Sequence, residues 1–305
     1  MSRKPDWLRI SCVKTPESEL VEGLLETFNL NTVCREASCP NSIECFSRKT
    51  ATFMILGTSC TRNCRFCNVG CGPPQPLDQF EPENIARAVK ALGLRYLVIT
   101  SVTRDDLPDG GAGHFAQVIR ASRKTSPKTA IEVLVPDFKG DISSLKTVTG
   151  ALPDVISHNM ETVSSLYKDV RPEAQYGRSL DLLQNIKRLN PDIRSKSGIM
   201  LGLGETREEI CQLLDDLRGV GCQFLTIGQY LAPSKTHIPV REYVHPDQFE
   251  EYGRIARQKG FEFVASAPFV RSSYHAGEAL GLGVDVIPNG YPMEALTQPD
   301  ADKNV

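Results

Sequence analysis

No stretch of this sequence approaches the ~18 consecutive apolar residues that a membrane-spanning helix requires. No charge of one sign dominates it either: 35 Lys plus Arg stand against 37 Asp plus Glu, a net charge of −2. Without a basic excess there is no global field to draw in nucleic acid or anionic lipid. The first fifty residues mix seven basic with seven acidic side chains, unlike a secretory or transit presequence. Aromatic residues make up only 7%, and no basic segment interleaved with aromatics marks an RNA-binding module. These absences exclude an electrostatic nucleic-acid or membrane binder. They predict a globular cytoplasmic protein with one large domain or two modest ones.

Cysteine is what the chain has in excess. Ten occur in 305 residues, eight of them between Cys12 and Cys71. In a reducing compartment, clustered thiols read as metal ligands or catalytic groups rather than disulfides.

From about residue 50 onward, short β-rich runs alternate with amphipathic helical patterns. The runs at 51–56, 95–100, 130–135, 154–157, 197–201, 223–227 and 261–264 predict strands. Helices are expected at 82–92, with Pro82 near the start and Gly93 just past the end, and at 206–217, with a Thr206 cap and Glu209 three residues on. Further helical patterns occupy 112–123, 142–149, 162–169, 179–189 and 246–259. A β/α unit repeating about every thirty residues predicts a parallel sheet in a closed or partly closed barrel. The rival doubly wound sheet lacks its signature, because Gly202-Leu-Gly204 comes late and without a third glycine. In a barrel the segments 57–68, 101–111, 158–162, 202–206 and 228–234 surround one mouth. The expected division is an N-terminal extension at 1–50, the barrel at 51–265 and a C-terminal segment at 266–305.

Directly after the first predicted strand, Cys60, Cys64 and Cys67 form C-x3-C-x2-C. Three thiolates this close can wrap a cubic iron–sulfur cluster and leave its fourth iron open to another ligand. Zinc takes four ligands, commonly in paired C-x2-C groups, and has no need of the x3 gap. Cys71 could close the set, although Gly70 and Gly72 fit a loop bystander better. Upstream, Cys34, Cys39 and Cys45 form C-x4-C-x5-C, and Pro40-Asn41-Ser42 between them describes a turn rather than a packed helix face. Two sets predict two clusters.

The spacing of the second set, its aromatic Phe66 and its position after a first strand resemble the radical S-adenosylmethionine superfamily. Both sets together, with Arg35-Glu-Ala-Ser-Cys-Pro-Asn41, Val102-Thr-Arg-Asp-Asp-Leu-Pro-Asp-Gly-Gly111, His158-Asn-Met-Glu-Thr162 and Arg271-Ser-Ser-Tyr-His275, resemble its lipoyl synthase family over nearly the whole chain. That resemblance implies a partial (β/α)6 TIM-type barrel. It implies S-adenosylmethionine chelated to the open iron of a 4Fe-4S cluster on Cys60, Cys64 and Cys67, and cleaved to a 5′-deoxyadenosyl radical. It implies a sulfurtransferase that inserts sulfur at C6 and C8 of a protein-bound octanoyl-lysine, consuming two S-adenosylmethionines per lipoyl group. The sulfur would come from an auxiliary 4Fe-4S cluster on Cys34, Cys39, Cys45 and Ser273. Asn159 and Glu161 are candidates for the cofactor's ribose, and Arg171 for its carboxylate, which a guanidinium grips better than a lysine.

The partners so implied are an octanoylated lipoyl carrier, either a glycine cleavage H protein or a 2-oxoacid dehydrogenase E2 domain, and a low-potential electron donor such as flavodoxin or ferredoxin. The enzyme is expected as a monomer with a narrow apolar channel, and an acidic carrier would dock on basic residues near the mouth. His114, His237 and His245 are read as structural, and Cys12, Cys211 and Cys222 as non-ligands. A methylthiotransferase, a biotin-synthase-like sulfur insertion enzyme and a non-catalytic iron–sulfur or zinc module are the rival readings.

Overall fold

The computed structural model describes residues 4–9, 13–48 and 51–282. Cys12, and the expected C-terminal segment beyond residue 282, lie outside them. The N-terminal part folds as α1 (Pro16–Thr27), β1 (Asn31–Thr32), α2 (Val33–Glu36) and α3 (Ser42–Ser47). Helix α1 opens on a reciprocal cap, in which the Ser18 amide donates to Thr15 Oγ1 and the Thr15 amide to Ser18 Oγ, with Pro16 in the first turn.

The repeat then runs β2 (Thr52–Ile55), α4 (Glu81–Leu92), β3 (Tyr96–Ser101), α5 (Ala112–Thr125), β4 (Ala130–Leu134), α6 (Ile142–Thr149) and β5 (Val155–Ser157). It continues with α7 (Tyr167–Val170), α8 (Tyr176–Leu189), β6 (Arg194–Leu201), α9 (Arg207–Gly219), β7 (Phe224–Gln229), α10 (Pro246–Gln258) and β8 (Phe263–Ser266). The strands lie side by side in sequence order, β1 antiparallel to β2 and all others parallel. A doubly wound sheet would reverse its order at a switch point; this one never does. Six β/α units followed by a final strand therefore make a partial barrel. Among the described residues β8 pairs with no strand beyond β7.

Strand periodicity divides the core. Phe53, Ile55, Leu97, Ile99, Ile131 and Val133 are buried with Ile85, Val89, Phe115 and Ile119 of the covering helices. Residues of the opposite parity turn inward, and there the interior is polar. Lys196 of β6 and Glu132 of β4 form an ion pair at 3.0 Å with each side chain only 1% exposed. Glu132 also accepts the Tyr96 hydroxyl at 2.7 Å and the Ser157 hydroxyl at 2.5 Å. Saturating the carboxylate in this way offsets the desolvation that an isolated buried pair would suffer.

This pair also explains why β6 starts at Arg194 rather than at 197. Arg-Ser-Lys carries no apolar signal, yet Lys196 is buried because its partner stands two strands away on β4. The helix expected at 162–169 is instead a 3-10 turn, Ser164–Leu166, running into the single turn α7. Thr162, Val163 and the serines favour helix poorly, and Pro172 blocks continuation. The Thr206–Glu209 capping box forms as expected. No helix among the described residues is long and apolar enough to cross a membrane.

The segment after β8 is pressed against β7: a Cβ placed on Gly228 would lie 2.0 Å from the Val270 carbonyl oxygen. Backbone cannot rotate away as a side chain can. Gly228→Ala is expected to destabilise the protein by roughly 1–3 kcal/mol. Gly23→Ala, in exposed α1 with nothing within 4 Å, should instead stabilise by about 0.5–1 kcal/mol. Urea unfolding midpoints of the two variants check both signs.

Candidate functional site

The loop after β2 is built to hold its thiols at the barrel mouth. Leu56 and Gly57 turn the chain at φ 70° and 92°. Beyond them the Cys60 amide donates to the Gly70 carbonyl at 2.8 Å and the Gly72 amide to the Cys60 carbonyl at 3.2 Å, closing the loop on itself. Cys71 lies in that closure with its side chain exposed. Cys60 Sγ accepts the amides of Arg62 at 3.4 Å and Thr103 at 3.3 Å. The loop is also stitched to its surroundings. Arg65 donates its amide to the Val170 carbonyl at 3.0 Å, and His237 Nε2 meets the Cys67 carbonyl at 3.1 Å. Phe66 packs against the cluster of Val170, Leu203, Tyr230 and Ile238, so the motif's aromatic residue anchors the loop.

Arg62, between the first two thiols, is 5% exposed and grips Asp105 at 2.6 Å and the fully buried Asp137 at 2.7 Å. Asp137 also meets Arg178 at 3.2 Å, and Arg62 helps hold its carboxyl down at about 2 against the opposing effect of burial. The loops after β2, β3 and β4 and helix α8 are thereby fastened to one another. Sequence reasoning passes over this network. Its one signal is an arginine inside the cysteine loop and an aspartate just beyond β4. The Arg104–Asp106 pair, at 2.8 Å, is separate and fixes the Leu56 carbonyl through Arg104.

Beside Cys64 lie Asn159, Glu161 and Arg171. Asn159 Nδ2 donates to Glu161 Oε1 at 3.0 Å. Arg171 Nη1 donates to the Asn159 carbonyl and the Tyr167 hydroxyl, both at 2.7 Å. Burial raises the Glu161 carboxyl, with Arg171 opposing. Two buried atoms have no partner here, Asn159 Oδ1 and Arg171 Nε. Asn159 Oδ1 lies close against the Gly198 backbone, where a Cβ would come within 2.8 Å of both it and Thr226 Oγ1. A free acceptor, a free guanidinium donor and a carboxylate are the complement of a ligand carrying hydroxyl, carboxylate and amino groups.

Arg171 is held by an ordered chain of hydrogen bonds. His158 Nδ1 donates to the Val135 carbonyl at 2.8 Å, so Nε2 accepts from Ser179 at 2.9 Å; Tyr167 then donates to Ser179 at 2.6 Å and accepts from Arg171. This order requires a neutral imidazole. Burial enforces it by lowering the His158 pKa from 6.5 to about 4.

The first cysteine set lies elsewhere. Cys34, Cys39, Cys45 and Ser273 line one cavity of about 290 Å³, bounded by Thr52, Tyr96 and Val98 at the starts of β2 and β3. This is the opposite end of β2 from the Cys60 loop. Burial raises the Cys34 thiol to about 11 and pushes Cys45 up as well. In the other set it raises Cys64, with Arg171 opposing, and takes Cys67 to about 12. Such thiols ionise only against a strong positive centre, which cluster iron supplies. Among the described residues no three Cys, His, Asp or Glu side chains converge as around a single ion. A cubane spreads its ligands over separate irons, so its three thiols need not converge on one point. Three thiols and one hydroxyl around a cavity suit iron.

The remaining polar residues fall into structural places. His114 meets Glu81 at 2.6 Å in the core, and His245 caps α10. Cys222 is buried, and Cys211 lies half-buried beside the apolar stripe of α9. Asp109 takes the amides of Gly111 and Gly113 in a turn ahead of α5.

A model of the radical SAM superfamily matches residues 54–217. The chain is 56% identical to the lipoyl synthase of Alkaliphilus metalliredigens (strain QYMF), covering 92% of this chain and 97% of the relative. It is 57% identical to the lipoyl synthase of Caldicellulosiruptor bescii, covering 90% and 94%. Among solved structures it is similar in fold to methylornithine synthase (PylB), with a TM-score of 0.53, 14% identity and 84% of each chain covered.

Arg62→Met leaves Asp105 and the buried Asp137 without their main partner and is expected to lower cluster-free stability by about 3–5 kcal/mol, read by thermal unfolding. The His158 imidazole gives a second expectation. Its folded pKa lies below its unfolded one, so its stabilisation is complete above pH 6.5 and is lost as pH falls toward 4, by at most about 3 kcal/mol. Urea midpoints between pH 7 and 4.5 should fall more steeply for the parent protein than for His158→Gln.

Proposed function

Because the chain belongs to the lipoyl synthases of the radical S-adenosylmethionine superfamily, we propose that its two cysteine sets divide one reaction between them. The reaction inserts two sulfur atoms, at C6 and C8, into an octanoyl chain carried on a protein lysine, and it uses S-adenosylmethionine and 4Fe-4S clusters. Cys60, Cys64 and Cys67 hold the cluster with an open iron. Cys34, Cys39, Cys45 and Ser273 hold the auxiliary cluster that gives up sulfur. When bound, the first cluster would supply the electron that breaks the C–S bond of S-adenosylmethionine, releasing methionine and a 5′-deoxyadenosyl radical able to take hydrogen from an unactivated carbon.

The chain's own residues prepare that event. Glu161 and Asn159 Oδ1 hold the cofactor's ribose hydroxyls. Arg171, fixed by Tyr167, presents Nε to its carboxylate. The amides of Arg62 and Thr103 point at Cys60 Sγ and fix its direction at the mouth. Phe66 and the Arg62–Asp137 pair keep the loop from shifting between catalytic cycles.

A protein-bound substrate requires a docking face. Exposed Arg65 beside the Cys67 turn, with exposed Lys235 two residues before His237, gives an acidic carrier a positive target. The carrier is a lipoyl carrier protein or domain of the glycine cleavage H or E2 type. The electron donor is a flavodoxin or ferredoxin, and the setting is a reducing cytoplasm. The observation that carries the reading is the meeting of Cys34, Cys39, Cys45 and Ser273, spread over most of the chain, on one cavity.

Protein reconstituted without oxygen should contain about eight irons. With reductant, S-adenosylmethionine and an octanoyl-lysyl peptide, mass spectrometry should find two sulfurs gained and 5′-deoxyadenosine formed. Cys34→Ala should still make deoxyadenosine but insert no sulfur, whereas Cys64→Ala should do neither. Sulfur insertion by Cys34→Ala at the parent rate would overturn the division of labour.

A further inference from the structure

Ser273 is the one proposed ligand that comes from the far end of the chain, and two side-chain ties bracket it. Asn41, two residues beyond Cys39 and buried, donates from Nδ2 to the Phe269 carbonyl at 2.7 Å. Glu44, adjacent to Cys45, accepts the Tyr274 hydroxyl on both oxygens, at 3.0 and 3.2 Å. Tyr274 is buried, and Glu44 is itself steadied by Arg48 at 3.2 Å and lies 3.6 Å from His275 Nε2. Just beyond, Gly277 rests on the Tyr96 ring, whose hydroxyl is fixed by Glu132 at 2.7 Å. The Glu44 tie joins the neighbour of Cys45 to the neighbour of Ser273, and the Asn41 tie joins the turn after Cys39 to a point four residues before the serine.

We infer that Asn41 and the Tyr274–Glu44 pair are positioning residues that seat the Ser273 hydroxyl opposite the three thiols. The inference rests on the proposed reading of Ser273 as a ligand. Its physical basis is the weakness of that ligand. A hydroxyl binds soft iron less well than thiolate does, so it holds a metal only if the cost of bringing it there has been met in advance by the fold. The cysteines need less help, because 34, 39 and 45 share one turn and two short helices. Ser273 stands far along the chain from all three, and the ties are what make it local. They also keep it in place if its iron departs, ready to receive another.

The test uses a Cys60→Ala, Cys64→Ala, Cys67→Ala background, so that only auxiliary iron remains, and follows its transfer to a chelator. Tyr274→Phe and Asn41→Ala should each speed iron release about fivefold, as expected for one lost hydrogen bond. Glu44→Gln, which keeps an acceptor for the Tyr274 hydroxyl, should stay within about twofold of the background. Combined with Ser273→Ala, neither Tyr274→Phe nor Asn41→Ala should add further speed, because they act through the lost ligand. Release that is unchanged in Tyr274→Phe and Asn41→Ala, or accelerations that add fully to that of Ser273→Ala, would overturn the inference while leaving Ser273 as a ligand. Release from Ser273→Ala at the background rate would instead remove the ligand reading, and with it the inference. Circular dichroism of the apoproteins separates these outcomes from simple misfolding.

Discussion

Among the described residues the sheet does not close on itself, and the cavity of the first cysteine set depends on that. β8 ends one side, β1 is added antiparallel at the other, and the segment after β8 reaches back to the N-terminal cysteine turn and to Tyr96 of β3. A closed eight-stranded barrel fills its interior with layers of branched side chains. A sheet left open must have its edges covered by something else, and here the N-terminal turn and the segment after β8 are brought together there. The cavity lined by Cys34, Cys39, Cys45 and Ser273 is formed where those two segments meet.

The other end of the molecule meets a different requirement. A loop of three thiols at a barrel mouth is short, polar and exposed on one side, and its own backbone closure is modest. Its rigidity comes from neighbours: Arg62 to Asp105 and Asp137, Thr103 to Cys60, Phe66 into an apolar cluster, His237 to the Cys67 carbonyl. The Arg171 chain works in the same way, because each donor in it is committed by the next acceptor. Charge and proton order fix geometry where packing alone would leave slack.

How much of this is legible in the sequence follows from the range of each signal. Periodicity is local, so the β/α repeat, the capping box at Thr206 and the turn at Asp109 can be read from residue order. Cysteine spacing is local too, and both sets stand out by spacing alone. Lys196–Glu132, Arg62–Asp137 and Tyr274–Glu44 join residues 64, 75 and 230 positions apart. No pattern in one sequence marks such partners, and a lysine inside β6 even reads against a buried strand. The small elements α2, α3 and β1, of four, six and two residues, are too short for a periodic pattern to stand out. Ser273 is of the intermediate kind: unremarkable as a residue, it is picked out only by resemblance to a family motif, and its place on the cavity has a physical account only in the ties around it.

The Cys60 loop leaves the end of β2 and the other cavity touches its beginning at Thr52, so the two proposed centres are set apart by a strand of four residues, ~13 Å of backbone. That strand is a ruler. It cannot be lengthened without sliding its register against β3, which would turn every inward residue outward. The distance between the two cysteine sets is therefore written into the hydrogen bonding of the sheet, and any substrate that passes between the proposed centres must match it.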